Sequence, residues 1–203
     1  MIGIVDYGVG NVKSFANIYS RLNIPFVLAK TAEDLNHSTH IILPGVGSFD
    51  WAMRQLNNSG LRETLDVLAN EQRKPILGVC VGMQMMSMES EEGLDKGLGW
   101  IDARVRHANK LHSSDLLLPH MGWNNVIPSH TNNLFKGYVD EVLFYFLHSY
   151  FFVPNDPSVA LGMTDYGTKF VSAVQKNNLF GVQFHPEKSH KFGIMLLKNF
   201  AEI

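Results

Sequence analysis

Residues 75–84 read Pro75-Ile-Leu-Gly-Val-Cys80-Val-Gly-Met-Gln84 and contain the only cysteine of the chain, with a glycine two positions to either side of it. An apolar run that leads through a small-x-nucleophile-x-small turn into helix-forming residues is typical of a nucleophile elbow, a strained turn at the carboxyl edge of a sheet. The flanking glycines allow backbone and substrate to approach closely. Since a lone cysteine is usually a small buried hydrophobic residue, a catalytic role for Cys80 depends on the rest of the chain.

The composition is that of an ordinary globular protein, with 203 residues, 45% apolar residues and a formal net charge of -2. This length predicts a single domain over residues 1–203. No basic excess suggests a nucleic-acid partner, and no run approaches the ~20 apolar residues of a membrane span. The first residues reach an acid after a short apolar run, which indicates a first strand and not a signal peptide. One cysteine cannot form an internal disulfide, so we expect a cytoplasmic protein.

Short apolar runs alternate with helical patterns in the first 80 residues. We predict strands at 2–5, 25–28 and 40–43, and helices at 48–56 and 61–69. This alternation favours a parallel sheet covered by helices on both faces. Ligands of such sheets bind at the carboxyl ends of the strands. The loop Pro44-Gly-Val-Gly47 should therefore share one edge with the Cys80 turn.

The pattern changes after the elbow. We predict a helix at 83–88, then an added antiparallel layer between residues 97 and 166, and a closing helix at 188–200. Strands of that layer are expected at 103–106, 116–118, 124–127, 142–151 and 159–163. Two later strands, 170–174 and 179–184, flank a predicted hairpin turn at 175–178.

His185 follows an apolar strand and precedes Pro186 and Glu187. Residues i and i+2 of an extended chain point to the same face, so Glu187 can orient the ring of His185. A cysteine nucleophile needs such a base, because the thiolate attacks and a free thiol with a pKa near ~8.5 is mostly protonated. Cys80, His185 and Glu187 would form a triad. A strand-terminal histidine beside a surface glutamate is the simpler alternative.

No metal or cofactor site is expected. The chain has no paired histidines at helical i, i+4 spacing and no second cysteine for zinc. Gly8 and Gly10 follow the first strand, but the third glycine of a dinucleotide fingerprint is missing.

Two motifs together, 78–84 and 181–187, resemble the class I (triad-type) glutamine amidotransferase family. Four further stretches, 6–11, 43–49, 119–124 and 144–150, narrow the resemblance to the glutaminase subunits of imidazole glycerol phosphate synthase, and it extends over the full length. The implied fold is a flavodoxin-like, mostly parallel α/β sheet with helices on both faces and an added antiparallel layer.

The resemblance implies hydrolysis of glutamine to glutamate and ammonia without a cofactor. The ammonia would pass to a (β/α)8-barrel cyclase subunit, bound as a heterodimer, that forms imidazole glycerol phosphate and the AICAR nucleotide in histidine biosynthesis. Cys80 would form a γ-glutamyl thioester, His185 would protonate the departing ammonia and activate water, and Glu187 would orient His185.

The resemblance also assigns the remaining site residues. The backbone N–H of Val81 and one from the loop Gly45, Val46 and Gly47 would bind the oxyanion. Glutamine would be held by Gln84, Ser149 and Tyr150. The partner interface would include Met121, Trp123 and Lys188.

Two positions depart from the family pattern. Val81 stands where a leucine is expected, and Trp100 where a smaller apolar residue is common. They leave open a paralogue that feeds ammonia to another synthase, such as one making an amidino sugar for a surface polysaccharide. A non-catalytic regulatory subunit would not require the triad. A thiol hydrolase of similar fold would not explain Gln84 or residues 119–124.

Overall fold

A computed structural model describes residues 1–111, 116–129, 132–139 and 142–203. Its strands are β1 (Ile2–Val5), β2 (Phe26–Ala29), β3 (His40–Gly45), β4 (Ile76–Cys80), β5 (Glu89–Ser90), β6 (Ala103–His107), β7 (His120–Asn125), β8 (Ile127–Pro128), β9 (Leu143–His148), β10 (Tyr150–Pro154), β11 (Ala160–Asp165), β12 (Lys169–Lys176) and β13 (Leu179–Val182). Its α-helices are α1 (Val12–Arg21), α2 (Ala32–His37), α3 (Phe49–Asn58), α4 (Arg62–Asn70), α5 (Val81–Met85) and α6 (His190–Ala201).

Five parallel strands form the centre of the main sheet in the order β2-β1-β3-β4-β13. Strands β2 and β3 lie on opposite sides of β1, so the connections from β1 to β2 and from β2 to β3 run in opposite directions across the sheet. Because such crossovers are right-handed, α1 and α2 lie on opposite faces. Helix α1 packs with α6, and α2 packs with α4. The predicted α/β fold with a mostly parallel sheet is confirmed.

The predicted antiparallel addition largely continues this sheet. Beyond β13 come β12, β10 and β6, each antiparallel to its neighbour, and β5 pairs parallel with β6. Strand β11 pairs with β12 and β8. A separate two-stranded antiparallel sheet, β7 with β9, carries residues next to the site.

Several local predictions were wrong. The strand predicted at 124–127 is divided between β7 and β8, and the strand predicted at 179–184 ends at Val182. The helix predicted at 83–88 starts at Val81 and ends at Met85, because the chain turns away and Leu98 donates its N–H to the Met85 carbonyl at 2.7 Å. No strand forms at 116–118, where the side chain of Asn109 accepts the Leu116 N–H at 2.8 Å. The strand predicted at 142–151 divides at Ser149 into β9 of the small sheet and β10 of the main sheet.

The predicted turn at 175–178 is confirmed. Strand β12 ends at Lys176 and β13 begins at Leu179, with Asn177 between them at a φ of 55°. Buried hydrophobic side chains from Ile2 to Phe200 belong to one core cluster. Among the described helices, none combines the length and the apolar character needed to cross a bilayer.

Candidate active site

Cys80 sits at a strained junction between β4 and α5. Its backbone has a φ of 54° and a ψ of -112°, a combination that residues with a side chain rarely adopt. The two flanking glycines are needed for space. A Cβ on Gly82 would lie 2.0 Å from the Leu43 carbonyl oxygen, and one on Gly78 would lie 2.7 Å from that of Gly82. The predicted strand-turn-helix elbow is therefore present.

The loop after β3 packs directly on this elbow. Gly45 pairs with Cys80 in the parallel register of β3 and β4. A Cβ on Gly45 would lie 2.3 Å from the backbone nitrogen of Gly82, so only glycine permits this approach. Gly47 has a φ of 80°, and Val46 between them is exposed. The first turn of α5 and this loop thus meet at one edge, as expected from the sequence.

His185 and Glu187 form a buried pair beside the elbow. His185 lies just beyond β13, which neighbours β4, and the chain then forms a 3₁₀ turn at Pro186–Lys188 instead of the extended segment expected from the sequence. Its Nδ1–H donates to Glu187 Oε1 at 2.9 Å, and the two side chains are 3% and 2% exposed. Burial alone would lower the pKa of His185. The neighbouring Cys80 and then Glu187 outweigh burial and raise that pKa to about 10. The His185 ring beside Cys80 is therefore held in its protonated form.

A cleft of about 400 Å³ opens over the sulfur atom. Its lining residues are Val46, Gly47, Cys80, Val81, Pro119, Leu147, His148, Ser149, His185 and Lys188. Gln84 and Tyr150 are not among them. Gln84 is buried, and its Nε2 lies 3.1 Å from Gln183 Oε1 and 3.4 Å from the Tyr150 carbonyl oxygen. The Tyr150 ring meets His107 edge-to-face at 5.1 Å.

The residues expected at a partner interface lie on the small sheet and next to His185. Met121 and Trp123 are 64% and 46% exposed. Trp123 stacks on His190 at 5.4 Å, and the Nζ of Lys188 lies 5.7 Å from the centre of the Tyr145 ring. Since Lys188 also lines the cleft, this surface adjoins the site.

Two polar residues near the site were missed by the sequence reasoning. Gln183 has a side chain that reaches Cys80, and its place two residues before His185 in the sequence was a usable signal. Glu92 accepts the Phe49 N–H at the start of α3 at 2.8 Å, and burial raises its pKa. The Glu92 charge also contributes, after burial, to a raised pKa of Tyr150. Nothing local in the sequence marks Glu92.

Two buried histidines also belong to the surroundings of the cleft. His120 Nδ1 lies 3.1 Å from His148 Nε2, and His148 Nδ1 lies 2.9 Å from the Tyr150 carbonyl oxygen. Burial lowers the pKa of His120 to about 4 and that of His148 to about 3. Both rings are therefore neutral at neutral pH. In the described ranges, no three His, Cys, Asp or Glu side chains are grouped so as to hold a metal ion.

Comparisons with known proteins cover nearly the entire chain. Residues 4–203 match the family model described as glutamine amidotransferase class-I. The chain is 53% identical to "Imidazole glycerol phosphate synthase subunit HisH" of Bdellovibrio bacteriovorus and 47% identical to the protein of the same name of Leptospira interrogans, with 100% of both chains covered in each case. A "subunit HisH 2" of Pseudomonas aeruginosa is 46% identical, again with full coverage of both chains.

Solved structures show the same fold at low identity. A crystal structure of a glutamine amidotransferase superposes with a TM-score of 0.74 at 16% identity, covering 100% of this chain and 99% of that one. The structure of PurLQS from Thermotoga maritima gives 0.70 at 18% identity, covering 99% and 97%. The family match and the full-length relatives establish that this chain belongs to the class I glutamine amidotransferase family.

Proposed function

We propose that this chain is the glutaminase subunit of an imidazole glycerol phosphate synthase and hydrolyses glutamine at Cys80. The observation that carries the proposal is the strained Cys80 elbow next to the buried His185–Glu187 pair. Full-length relatives at 47% and 53% identity bear the name of that synthase subunit. We infer that residues 1–203 act as one amidotransferase domain.

The proposed reaction has two halves. The Cys80 thiolate attacks the side-chain amide carbon of glutamine, and a sulfur–carbon bond forms. The carbon–nitrogen bond then breaks, and the leaving nitrogen takes a proton from His185 and departs as ammonia. His185 next removes a proton from water, whose oxygen attacks the thioester carbon. The sulfur–carbon bond breaks, which releases glutamate and restores the thiolate. Glu187 holds the His185 tautomer throughout.

The oxyanion formed in each half needs N–H donors. The Val81 N–H opens α5 directly after the nucleophile, and the loop of Gly45, Val46 and Gly47 faces the same turn. A single such donor is typically worth about 3 kcal/mol in the transition state. We propose these two elements as the oxyanion site. The close packing of Gly45 on Gly82 supports it, because it holds the loop at the elbow.

The rest of the substrate would be bound by polar groups around the cleft. Ser149 lines the cleft, and we propose that Gln84 and Tyr150 act at its inner end, where the Gln84 amide contacts the Tyr150 backbone. Glu92 is the nearby carboxylate that could pair with the α-ammonium group of glutamine. Its half-buried position beside Tyr150 supports this assignment.

We propose that the ammonia acceptor is a (β/α)8-barrel cyclase subunit bound as a heterodimer. The relatives are named as subunits of a synthase. The exposed side chains of Met121 and Trp123, with Lys188 beside them, supply an aromatic and apolar surface next to the cleft, as protein interfaces require. A catalytic free thiol fits the reducing cytoplasm, where we propose the complex works.

A paralogue with another acceptor is the second candidate. It is favoured by one observation, the 46% identical relative whose name carries the number 2. An organism with two such subunits can dedicate one of them to a different synthase.

Glutamine turnover of the chain together with its co-purified partner tests the proposal. We expect ammonia release that is lost in Cys80→Ala, while the variant still forms the complex. Ammonia release by Cys80→Ala would refute the nucleophile assignment. A co-purified partner that is a barrel cyclase supports the histidine pathway, and a sugar-modifying synthase supports the paralogue.

A further inference from the structure

Gln183 lies directly behind the nucleophile. It follows β13, its side chain is fully buried, and its backbone N–H donates to the Ser172 carbonyl at 2.9 Å. The side chains of His185 and Gln183 both reach Cys80, and Gln183 Nε2 lies 3.7 Å from the Cys80 sulfur.

The orientation of the Gln183 amide follows from its hydrogen bonds. Gln84 Nε2 is within 3.4 Å of the Tyr150 carbonyl oxygen, which can only accept. The same Gln84 nitrogen lies 3.1 Å from the Gln183 amide, so the Gln183 atom facing it must be the oxygen. The Gln183 NH₂ group is therefore the end that faces the sulfur.

A hydrogen bond donated by the Gln183 NH₂ group stabilises the thiolate form of Cys80, whereas the thiol form does not need it. The sulfur has two uncharged polar neighbours, the Gln183 NH₂ and the Leu147 carbonyl oxygen at 3.9 Å. The carbonyl can accept only from the protonated thiol, whereas an N–H donor favours the charged form. Since an amide does not titrate, Gln183 can stabilise the thiolate without competing with His185 for the proton.

We propose that Gln183 is a further catalytic residue, whose side-chain amide donates a hydrogen bond to the Cys80 sulfur and stabilises the thiolate. The thiolate is both the attacking group and the group expelled when water cleaves the thioester, so the same donor acts in both halves of the reaction. This inference rests on the proposed role of Cys80.

Alkylation of Cys80 by iodoacetamide measures the thiolate directly, because the chain has no other cysteine. Gln183→Met keeps an unbranched side chain of similar volume and removes the donor. One hydrogen bond to a charged group corresponds to about one pKa unit or more. We therefore expect the midpoint of the alkylation pH profile to rise by about one unit, and alkylation at pH values below the wild-type midpoint to slow roughly tenfold. In the complex, kcat for glutamine should also fall, because the same donor stabilises the thiolate that water expels from the thioester.

Gln175→Met is the matched control, since among the described residues the Gln175 amide donates its hydrogen bond to the Asn177 carbonyl in the hairpin turn, away from Cys80. It should leave the alkylation profile unchanged. If Gln183→Met does not fold, Gln183→Leu removes the same donor in a more compact side chain. A folded Gln183 variant with the wild-type alkylation profile would overturn the inference. Turnover of Cys80→Ala is measured in the same experiment. If this variant has lost turnover, an unchanged alkylation profile refutes only the role of Gln183. If it retains turnover, the proposed function itself is overturned.

Discussion

Replacing Cys80 by glycine should stabilise the protein relative to replacing it by alanine. The backbone at this position has a φ of 54° and a ψ of -112°, which lies far from the left-handed minimum in ψ. Alanine retains the Cβ that makes this conformation costly, and glycine does not. Because both variants lack the sulfur, their difference isolates the backbone strain from the loss of the thiol.

The expected magnitude follows from three opposing effects. Relief of strain at such a position is worth about 3 kcal/mol at the upper end of the usual range. The larger conformational entropy of the unfolded glycine variant lowers its stability by about 0.7 kcal/mol. Loss of the buried methyl group lowers it by a further ~0.8 kcal/mol. The glycine variant should therefore be more stable by about 1 to 2 kcal/mol.

Urea unfolding followed by tryptophan fluorescence gives the free energies of both variants. The matched control is the exposed helical residue Asn17 in α1, where Asn17→Gly should be less stable than Asn17→Ala by about 1 kcal/mol. The two sites should thus show opposite signs. A Cys80→Gly protein less stable than Cys80→Ala by the amount seen at Asn17 would refute the strained elbow.

Three further outcomes follow from the described contacts. Burial lowers the pKa of His120 to about 4 and that of His148 to about 3, so below pH 6.5 the unfolded chain binds more protons than the folded chain. The free energy of unfolding should therefore fall as the pH drops, by about 2 kcal/mol for each ring at pH 5. Ring ¹⁵N shifts of either histidine that titrate near pH 6.5 would contradict this. Trp100→Phe removes the 2.7 Å hydrogen bond from the buried indole to Asp66. It should lower the free energy of unfolding by about 1 to 2 kcal/mol without changing turnover. An unchanged urea midpoint would argue against that bond. Gly45→Ala places a Cβ 2.3 Å from the backbone nitrogen of Gly82 in α5. The oxyanion loop should be displaced, and kcat should fall roughly 100-fold. A wild-type kcat in this variant would disprove the role of the loop.

The parts of the site that were predictable depend on short-range spacing. Gly78 and Gly82 flank Cys80 in one decapeptide, and His185 and Glu187 are only two residues apart, although a 3₁₀ turn at Pro186–Lys188 replaces the expected extended segment. Such patterns carry geometry with them, because the sharp turn fixes where Cys80 points and the two-residue separation keeps Glu187 within hydrogen-bond reach of His185. The alternation of strands and helices then indicated that the loop at residues 44–47 and the Cys80 turn share one edge of a parallel sheet.

The parts that were missed depend on contacts between distant segments. Glu92 reaches the start of α3 across more than forty residues, and no local pattern signals that approach. The division of residues 142–151 at Ser149 was also hidden, since an apolar run reads the same whether it pairs with one sheet or two. Helix α5 ends early because Leu98 hydrogen-bonds to its last residue, again a long-range contact.

The central claim is that Cys80 carries the glutamyl group during turnover. Acid quenching of the complex during steady-state glutamine hydrolysis, followed by mass spectrometry of its peptides, tests this claim directly. We predict a glutamyl thioester on the Cys80 peptide that appears with glutamine and disappears once the substrate is consumed. Steady ammonia release with Cys80 unmodified, or a glutamyl group on another residue, would contradict the account.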